Sequence, residues 1–513
     1  MRKGLRGASI ALSAILALAV QGGTARADVG PYQLFTDGAV LQRGMPVPVW
    51  GTATRDGERV TVSIQGKEAA GVSANGRWMV RLPALTAGGP FTLTIKGDNT
   101  VEVKNVLVGE VWVCSGQSNM GWPLRLTTTG PEAIAQSADP MLHLFSVPLQ
   151  ASEAPVHTLS GQWVESNPQT TPDFTAVGYY FGRELRRRLK VPIGLINSSW
   201  GGTYAEAWTS LDMMDRTPAL RNIVDAYAAQ RLDYARQMQA YNAAVERAKS
   251  DGSTPPKPPA RADDPGAIFQ FPNRPAVLYN AMIVPLLPCA VKGAIWYQGE
   301  SNAGRAYEYQ TLLPKMVESW REGFGNRGLA FLIVQLAPFM AIKPDQHQSA
   351  WAELREAQRL TALHDPLDGL AVITDLGDEK DIHPKQKEPV GIRLALTALH
   401  NIYRHRVVGS GPAYESMQVE GDKIVVKFGS VGGGLVAQGG ELKGFAIAGA
   451  DKKFTNAKAE IKGSTVVVSC PQVPNPVAVR FGWADYPVVN LFNKEGLPAS
   501  PFRTDDFRLT TQR

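Results

Sequence analysis

Four short polar segments, each placed directly after an apolar run, carry the residues of this chain that could do chemistry. The first is Gly116–Met120 (GQSNM), which follows the apolar run Val111–Cys114, typical of a buried strand. A glycine at a strand end permits the sharp turn that lifts a serine hydroxyl into a cleft. Ser118 is therefore the candidate nucleophile, provided that a base takes its proton. Without a base, Ser118 would be a turn residue or a helix N-cap.

The candidate base is His383, in the segment Asp375–Pro384 (DLGDEKDIHP). An imidazole can accept the serine proton and pass it to the leaving alcohol. Asp381, or else Asp378, would hold the imidazole in the required tautomer. An acidic surface loop is the alternative interpretation. The remaining histidines lack an acid-rich loop after a strand: His143, His157, His347, His364, His400 and His405.

Two further segments offer donors for an oxyanion hole. Asn197–Thr203 (NSSWGGT) contains paired glycines, and the backbone N–H groups around Gly202 could point at a developing oxyanion. Gln298–Asn302 (QGESN) offers the side-chain amide of Asn302. A tight turn and a helix cap are the respective alternatives, and Glu206 would brace its turn or contact a sugar. Because three strands each end in a polar, glycine-bearing loop, a catalytic role is favoured.

The elements that must position these segments alternate between strand and helix patterns. This alternation predicts parallel βαβ units and a three-layer α/β sandwich with a parallel sheet. Ligands of such sheets bind at the carboxyl ends of the strands. The predicted strands are Val111–Cys114, Ile193–Asn197, Ala294–Tyr297, Leu329–Leu336 and Leu370–Thr374, and the predicted helices are Val177–Leu189, Tyr307–Trp320, Trp351–Leu363 and Val390–Ile402.

The sequence predicts β-rich regions on both sides of this catalytic region. The boundaries place an N-terminal β-rich region at 28–106, the catalytic region at 107–405 and a C-terminal β-rich region at 406–513. Met45–Gly51 contains prolines that cannot donate to a ladder, so it is expected at a sheet edge or as an extended segment. An insertion at 212–273 is too polar and proline-rich for a core, and would form a lid, an arm or a spacer.

Residues 1–27 are typical of a secretory signal peptide. Basic residues come first, Ala8–Val20 is apolar, and Ala25–Ala27 is a small-x-small cleavage site. We therefore expect export to the periplasm or the medium, without a membrane span. The chain has 53 basic and 47 acidic residues. Four basic residues lie in the signal segment, so the remainder is nearly neutral and gives no reason to expect nucleic acid as a partner.

Cysteine usage also restricts the function. The three cysteines cannot form a disulfide framework for 513 residues. One bridge is possible, but Cys114 and Cys289 adjoin apolar runs and are expected to be buried thiols. No clustered Cys/His spacing indicates zinc.

The four segments together resemble the SGNH hydrolase superfamily and, within it, the sialate O-acetylesterase family. The resemblance rests on GQSNM at 116–120, SWGGT at 199–203, WYQGESN at 296–302 and DIHP at 381–384, with VLQR at 40–43 and GLPASPFRTD at 496–505 in the β-rich regions. It implies hydrolysis of O-acetyl groups on sugars through an acetyl-serine intermediate, with no cofactor or metal. Ser118 would be the nucleophile and His383 the base.

The resemblance also implies roles for the remaining site residues. The Ser118 backbone N–H, Gly202 and Asn302 would form the oxyanion hole, and we expect Gln117 and Glu300 to contact the substrate. The superfamily's usual acid lies three residues before the histidine, where this chain has a lysine. Asp381, Asp378 and a Ser–His dyad without an acid all stay open.

Three functional hypotheses follow. The leading one is a secreted carbohydrate O-acetylesterase of the sialate type. A second keeps the chemistry but changes the substrate to acetylated xylan or another polysaccharide. A third is a non-catalytic carbohydrate-binding protein, which would need neither Ser118 nor His383. A lipase-like esterase is disfavoured because the nucleophile turn is not Gly-x-Ser-x-Gly.

Overall fold

The computed structural model describes residues 28–259, 272–345 and 347–512 of the chain. The predicted signal peptide and part of the predicted insertion lie outside these residues. The strands are β1 (Val29–Pro31), β2 (Val40–Gln42), β3 (Val47–Ala53), β4 (Arg59–Ile64), β5 (Lys67–Val72), β6 (Arg77–Leu82), β7 (Gly88–Lys96), β8 (Thr100–Gly116), β9 (Asp139–Ser146), β10 (Val164–Ser166), β11 (Ile193–Ser199), β12 (Gly293–Tyr297), β13 (Ala330–Val334), β14 (Asp368–Ala371), β15 (Ala413–Glu420), β16 (Lys423–Gly429), β17 (Leu435–Ala437), β18 (Phe445–Ala448), β19 (Phe454–Asn456), β20 (Lys458–Lys462), β21 (Thr465–Ser469), β22 (Ala478–Phe481), β23 (Leu491–Asn493) and β24 (Phe502–Arg503).

The helices are concentrated between the two β-rich regions. The α-helices are α1 (Ser118–Gly121), α2 (Gly130–Ala135), α3 (Ala176–Leu189), α4 (Leu211–Arg216), α5 (Arg221–Asp251), α6 (Ala306–Gly323), α7 (Ala350–Ala362) and α8 (Glu388–Asn401). Short 3₁₀ turns cover Leu124–Leu126, Ala205–Trp208, Pro218–Leu220, Val284–Leu286 and Glu300–Arg305, and one π-helical turn covers Tyr279–Ile283.

The central sheet has the strand order β10-β9-β11-β8-β12-β13-β14. The six strands from β9 to β14 in this order are parallel, and β10 pairs with β9 in the antiparallel direction. The predicted α/β fold with additional β-rich regions is thus confirmed, with a mixed rather than purely parallel sheet. Because the parallel strands point the same way, their carboxyl ends meet at one edge.

Alternate residues of β8 enter two different hydrophobic cores. Val111 and Val113 pack in a core that includes α6 and α7 residues. Trp112 and Cys114 pack in a second core with α3 and α8 residues. Successive side chains of a strand point to opposite faces, so each face of the sheet is covered by helices. Burial on both faces explains why the strands read as continuous apolar runs.

Strand β8 connects the N-terminal β-rich region to the central sheet. Its first half pairs with β7 and β2, and residues 110–116 pair with β11 and β12. The predicted boundary between residues 106 and 107 falls inside this strand, and the division into regions stays a prediction.

The prediction that Met45–Gly51 lies at a sheet edge is confirmed at Pro48, although β3 as a whole is not an edge strand. Strand β3 lies between β1 and β6 in a three-stranded sheet. Strand β1 pairs only with residues 51–53, whereas β6 pairs with residues 47–52. At Pro48 the strand therefore has a neighbour on one side only, and the missing N–H costs no ladder bond there.

The C-terminal β-rich region is attached to the catalytic region through α7. The region has two four-stranded sheets and the pair β17-β23. Arg355 is buried and donates to four backbone carbonyls, those of Leu336, Ala337, Ala484 and Asp485. The Glu353 carboxylate accepts hydrogen bonds from the backbone and hydroxyl groups of Thr510 and Thr511. Helix α7 thus holds the C-terminal region against the sheet.

The insertion forms α4 and the long helix α5. At 1.5 Å per residue, the 31 residues of α5 extend about 46 Å. Asn222 donates to Glu308 at 3.0 Å, and the Tyr227 hydroxyl donates to Glu153 at 2.8 Å, so the first turns are fixed to the catalytic region. Most of the later turns are exposed. In the described ranges, the helices are all too short or too polar to cross a membrane.

The three cysteines lie in the described residues as free thiols. Cys114 and Cys470 are buried and Cys289 is partly buried. Burial raises the pKa of the Cys114 thiol well above its usual range. A thiol that stays protonated is a poor nucleophile, so Cys114 does not compete with Ser118.

Candidate active site

Gly116 makes the turn that presents Ser118. Its backbone φ is +134°, and a Cβ at this position would lie 2.2 Å from the carbonyl oxygen of Tyr297. Both features exclude larger residues. The Gln117 N–H donates to the same carbonyl at 3.0 Å. Strands β11 and β12 end beside Gly116, so the loops after three strands meet at Ser118.

The structure brings His383 to Ser118. Its Nε2 lies 2.8 Å from Ser118 Oγ, and its ring stacks on Trp122 with centroids 4.9 Å apart and planes 18° apart. Burial, and next the positive charge of Lys387, lower the pKa of His383 below its usual value. The imidazole is therefore neutral at pH 7 and able to accept the serine proton.

Asp381 is the carboxylate nearest to the imidazole, but its principal bond is to the backbone. Its Oδ1 accepts from the His383 N–H at 2.9 Å and lies 3.6 Å from Nδ1, beyond hydrogen-bond distance. Its side chain is 43% exposed. Asp378 accepts from the backbone N–H groups of Lys380 and Asp381, which lower its pKa. Asp378 thus stabilises the loop and does not contact the imidazole.

A buried group that we call the histidine-side network consists of Asn119, Glu300 and Lys387. Lys387 donates to Asn119 Oδ1 and is 1% exposed. The Asn119 Nδ2 is therefore the donor side of the amide. It donates to Glu300 Oε1 at 2.6 Å and to the Ile382 carbonyl at 3.0 Å. The network joins the nucleophile turn to the residue that precedes His383.

Burial dominates the electrostatics of the histidine-side network. It lowers the pKa of Lys387 to about 7, although Glu300 and Asp381 oppose this shift. It also raises the pKa of Glu300. The Lys387 ammonium lies 5.4 Å from the centroid of the Tyr297 ring, a cation–π distance. The network thus holds a charge that can change near neutral pH.

Gln117 and Glu300, the expected substrate contacts, are used inside the site. The buried Gln117 side chain accepts from the N–H groups of Gly299 and Ser301, each at 3.4 Å. These long bonds join the nucleophile turn to the turn after β12. Glu300 belongs to the histidine-side network. Substrate contact by either residue stays a prediction.

Of the two glycines after β11, Gly201 lies against the nucleophile. A Cβ at Gly201 would be 3.2 Å from Ser118 Cβ. Gly202 is exposed, has a φ of +74°, and accepts a hydrogen bond from Asn273 at its carbonyl. The left-handed conformation of Gly202 turns the chain beside Ser118. Its role in an oxyanion hole stays a prediction.

A second group, the amide-side network, consists of the buried residues Glu206 and Asn302 and the partly exposed Arg305. Asn302 Oδ1 accepts from Gln298 at 2.7 Å and from the Ala205 N–H at 3.0 Å, and its Nδ2 donates to Glu206 at 2.9 Å. Glu206 also forms an ion pair with Arg305. Both acceptor positions of Asn302 are thus occupied, which fixes its NH₂ as the donor side. Glu206 braces this turn.

Sequence reasoning missed Trp122 and Lys387. Each lies four residues beyond a chemical residue, Trp122 after Ser118 and Lys387 after His383. That spacing is no signal for their contacts, because Trp122 stacks on His383 and Lys387 donates to Asn119, partners that are distant in the chain. In the described ranges, there is no group of three or more His, Cys, Asp or Glu side chains that could hold a metal.

Comparison with known proteins identifies the family. A family model described as carbohydrate esterase, sialic acid-specific acetylesterase, matches residues 267–398. The mouse sialate O-acetylesterase is 31% identical over 394 residues, covering 68% of this chain and 69% of the mouse protein. The human sialate O-acetylesterase is 31% identical over 408 residues, covering 72% and 70%. The chain belongs to the sialate O-acetylesterase family.

A solved structure is similar to nearly the whole chain. A carbohydrate acetylesterase from Xanthomonas citri superimposes with a TM-score of 0.79 and 40% identity, covering 94% of this chain and 100% of that one. The predicted family and the predicted class, a carboxylic-ester hydrolase, are confirmed.

Proposed function

We propose that this family member is an exported carbohydrate O-acetylesterase with Ser118 as its nucleophile. One observation carries the proposal, the 2.8 Å contact between His383 Nε2 and Ser118 Oγ at the carboxyl ends of parallel strands. A carbohydrate-binding protein needs no base beside a serine. The names of the relatives, which include sialate O-acetylesterases and a carbohydrate acetylesterase, support O-acetylated sugars as substrates.

The reaction has two steps. His383 accepts the Ser118 proton while Oγ attacks the acetyl carbonyl, and the imidazolium then protonates the departing sugar oxygen. A water molecule next attacks the acetyl-serine, again giving its proton to His383. Acetate leaves and Ser118 is restored. Asp381 is the residue best placed to orient the imidazole, through its bond to the backbone of His383.

The carbonyl oxygen gains negative charge in both steps and needs donors. We assign this role to the Ser118 N–H, the Gly202 N–H and the Asn302 Nδ2. An amide NH₂ carries two hydrogens, of which Glu206 accepts one. Pre-positioned donors of this kind typically contribute about 3–4 kcal/mol each to transition-state stabilisation. The layers of helices on both sheet faces further support a three-layer SGNH-type sandwich.

The first experiment measures acetate release by the purified chain lacking residues 1–27. The substrates are O-acetylated sialic acid, acetylated xylan and p-nitrophenyl acetate. We expect release that Ser118→Ala abolishes, while the control Ser416→Ala, an exposed serine on β15, keeps the wild-type rate. Failure to release acetate from all three substrates would reject the esterase and favour the binding protein. Preference between the first two substrates decides the sugar class.

Export has its own test. Expression of the full chain in a bacterial host should give a secreted or periplasmic product whose N-terminal residue is Asp28. An intact Met1 on protein that stays in the cytoplasm would contradict the signal peptide.

A further inference from the structure

A cleft of about 700 Å³ opens between the loop after β11 and the start of α5. Tyr204 and Glu206 line it. Tyr204 is three residues from Gly201, the residue that lies against Ser118, so the two Cα atoms are at most about 11 Å apart. The cleft therefore begins within reach of a group attached to the sugar that Ser118 deacetylates.

One face of α5 forms a wall of the cleft. Asn222, Ala226 and Gln230 recur every four residues, and Ile223 and Tyr227 lie beside them. Residues at this spacing lie on the same side of a helix. The small side chain of Ala226 leaves space, and the amides on either side of it can donate and accept hydrogen bonds. The insertion thus contributes an ordered polar surface next to the reaction site.

The opposite wall supplies tyrosine rings and hydroxyl groups. Tyr307, at the start of α6, is 44% exposed and lines the cleft with Thr311 and with Thr511 of the C-terminal tail. The Tyr307 N–H donates to Thr511 Oγ1 at 3.0 Å, which fixes the tail at this position. Exposed tyrosine rings present a flat apolar face with a polar edge. This combination suits sugar rings, which have apolar faces and hydroxyl edges.

The charged residues of the cleft are paired with one another or with neighbours. Arg305 bonds to Glu206 and Glu308, and Arg274 bonds to Glu153. Binding a carboxylate here would compete with these acidic partners and would desolvate the charge. Among the described lining residues, the cations thus already have acidic partners, and the hydrogen-bonding groups left for a ligand are mainly neutral.

We propose that this cleft is a binding subsite for uncharged sugar residues that flank the acetylated sugar in an oligosaccharide or polysaccharide. The inference rests on the proposed function and sharpens it. With such a subsite, acetylated chains of neutral sugars are better substrates than a single acidic sugar, because only the chains fill both the reaction site and the cleft.

The kinetic test uses acetylated xylo-oligosaccharides of one to six sugars, O-acetylated sialic acid and p-nitrophenyl acetate. We expect kcat/KM to rise about tenfold with chain length and then level off. The double variant Gln230→Ala/Tyr307→Ala should remove this rise without changing turnover of p-nitrophenyl acetate, since both side chains line the cleft and this small ester has no sugar to place there. Gln239→Ala, an exposed glutamine nine residues along the same helix, is the matched control.

A binding test separates failure of the subsite from failure of the esterase. Calorimetry with unacetylated xylohexaose and cellohexaose on Ser118→Ala needs no turnover. We expect binding of at least one of them, weakened about tenfold by the added double variant and unchanged by Gln239→Ala. The proposal would be overturned if neither hexasaccharide bound, or if kcat/KM did not depend on chain length. It would also be overturned if the double variant lowered kcat/KM equally on O-acetylated sialic acid. Activity on p-nitrophenyl acetate without these subsite effects would support the esterase and reject the subsite.

Discussion

The two networks that flank Ser118 hold their charges in different ways. In the histidine-side network a neutral amide separates Lys387 from Glu300, and burial lowers the pKa of the lysine to about 7. In the amide-side network Arg305 bonds directly to Glu206 and to Glu308. An arginine keeps its charge at any physiological pH. We infer that the first network tunes the charge near His383, whereas the second fixes the position of Asn302.

One short helix connects the two networks. The 3₁₀ turn Glu300–Arg305 contributes Glu300 to the first, and Asn302 and Arg305 to the second. Its start is set by Gly299, whose φ is +155° and whose Cβ, if present, would lie 2.4 Å from a Leu354 side-chain carbon. The two networks therefore share a rigid support but can be perturbed separately, which allows the following tests.

The largest effect is expected from Asn302→Ala in the amide-side network. Loss of a fixed donor should lower kcat about 10²- to 10³-fold with little change in KM, because the donor acts mainly in the transition state. Steady-state kinetics on an acetylated sugar measure this. Asn280→Ala is the control, since Asn280 is also buried and donates to two backbone carbonyls. An equal fall in kcat for both variants would contradict the assignment of Asn302 to the oxyanion hole.

Lys387→Met should break the histidine-side network. We expect kcat to fall about 10- to 100-fold, because the charged bond that orients Asn119 is lost. The acidic limb of the pH profile of kcat/KM should also move to higher pH. The Lys387 charge lowers the pKa of His383, Asp381 raises it, and the base must be neutral to act. A merely structural role would lower the rate without moving the limb.

Lys385→Met is the matched control for this variant. Lys385 is exposed and lies two residues away on the same loop. The control should have the same kcat as wild type and the same acidic limb of the pH profile. Matching shifts in both lysine variants would indicate a general surface-charge effect, and the contrast between the networks would be lost.

Asp381→Asn is expected to have a smaller effect, a fall in kcat of about tenfold. The carboxylate is exposed and lies 3.6 Å from Nδ1, while Trp122 and the histidine-side network also position the ring and its loop. Removal of a fully engaged triad acid costs about 10⁴-fold. A loss of that size would show that Asp381 bonds to the imidazole during the reaction. Asp378→Asn, the control on the same loop, should keep nearly the wild-type kcat.

The smallest effect concerns stability. Lys387 has a pKa of about 7 in the folded chain, against about 10.4 for a lysine in an unfolded chain. The unfolded state therefore binds more protons between these values, so stability rises with pH over this range. From pH 7 to pH 10, the melting temperature of wild type should rise by a few degrees relative to Lys387→Met. A constant difference across this range, as expected for Lys385→Met, would contradict a lowered pKa of Lys387.

The order of segments along the chain was sufficient to predict the family and much of the site. Gly116 predicts a turn because the strand before it is continuous and apolar, and the structure has that turn. Parallel strands bring their carboxyl ends together whatever the side chains, so Ser118 and His383 could be paired without coordinates. The fold class followed from the same alternation of strand and helix.

The sequence could not give the partners of individual polar side chains. Nothing in the chain order indicates that Gln117 bonds to the turn after β12, or that a side chain at Gly201, and not one at Gly202, would meet Ser118. The edge position predicted for Met45–Gly51 holds at Pro48 because β1 stops short of that residue, which a count of prolines could not show. Such facts depend on register and on where each neighbouring strand ends.

The sequence by itself determined the chemistry of this protein, because residue types at strand ends fix which groups meet at the sheet edge. Tertiary structure decided how those groups are held. Burial changed the protonation of Lys387 and Glu300, since a charge far from water is costly whatever its position in the chain. The cleft likewise joins the start of α5 to α6, where Asn222 donates to Glu308, a residue 86 positions away in the sequence.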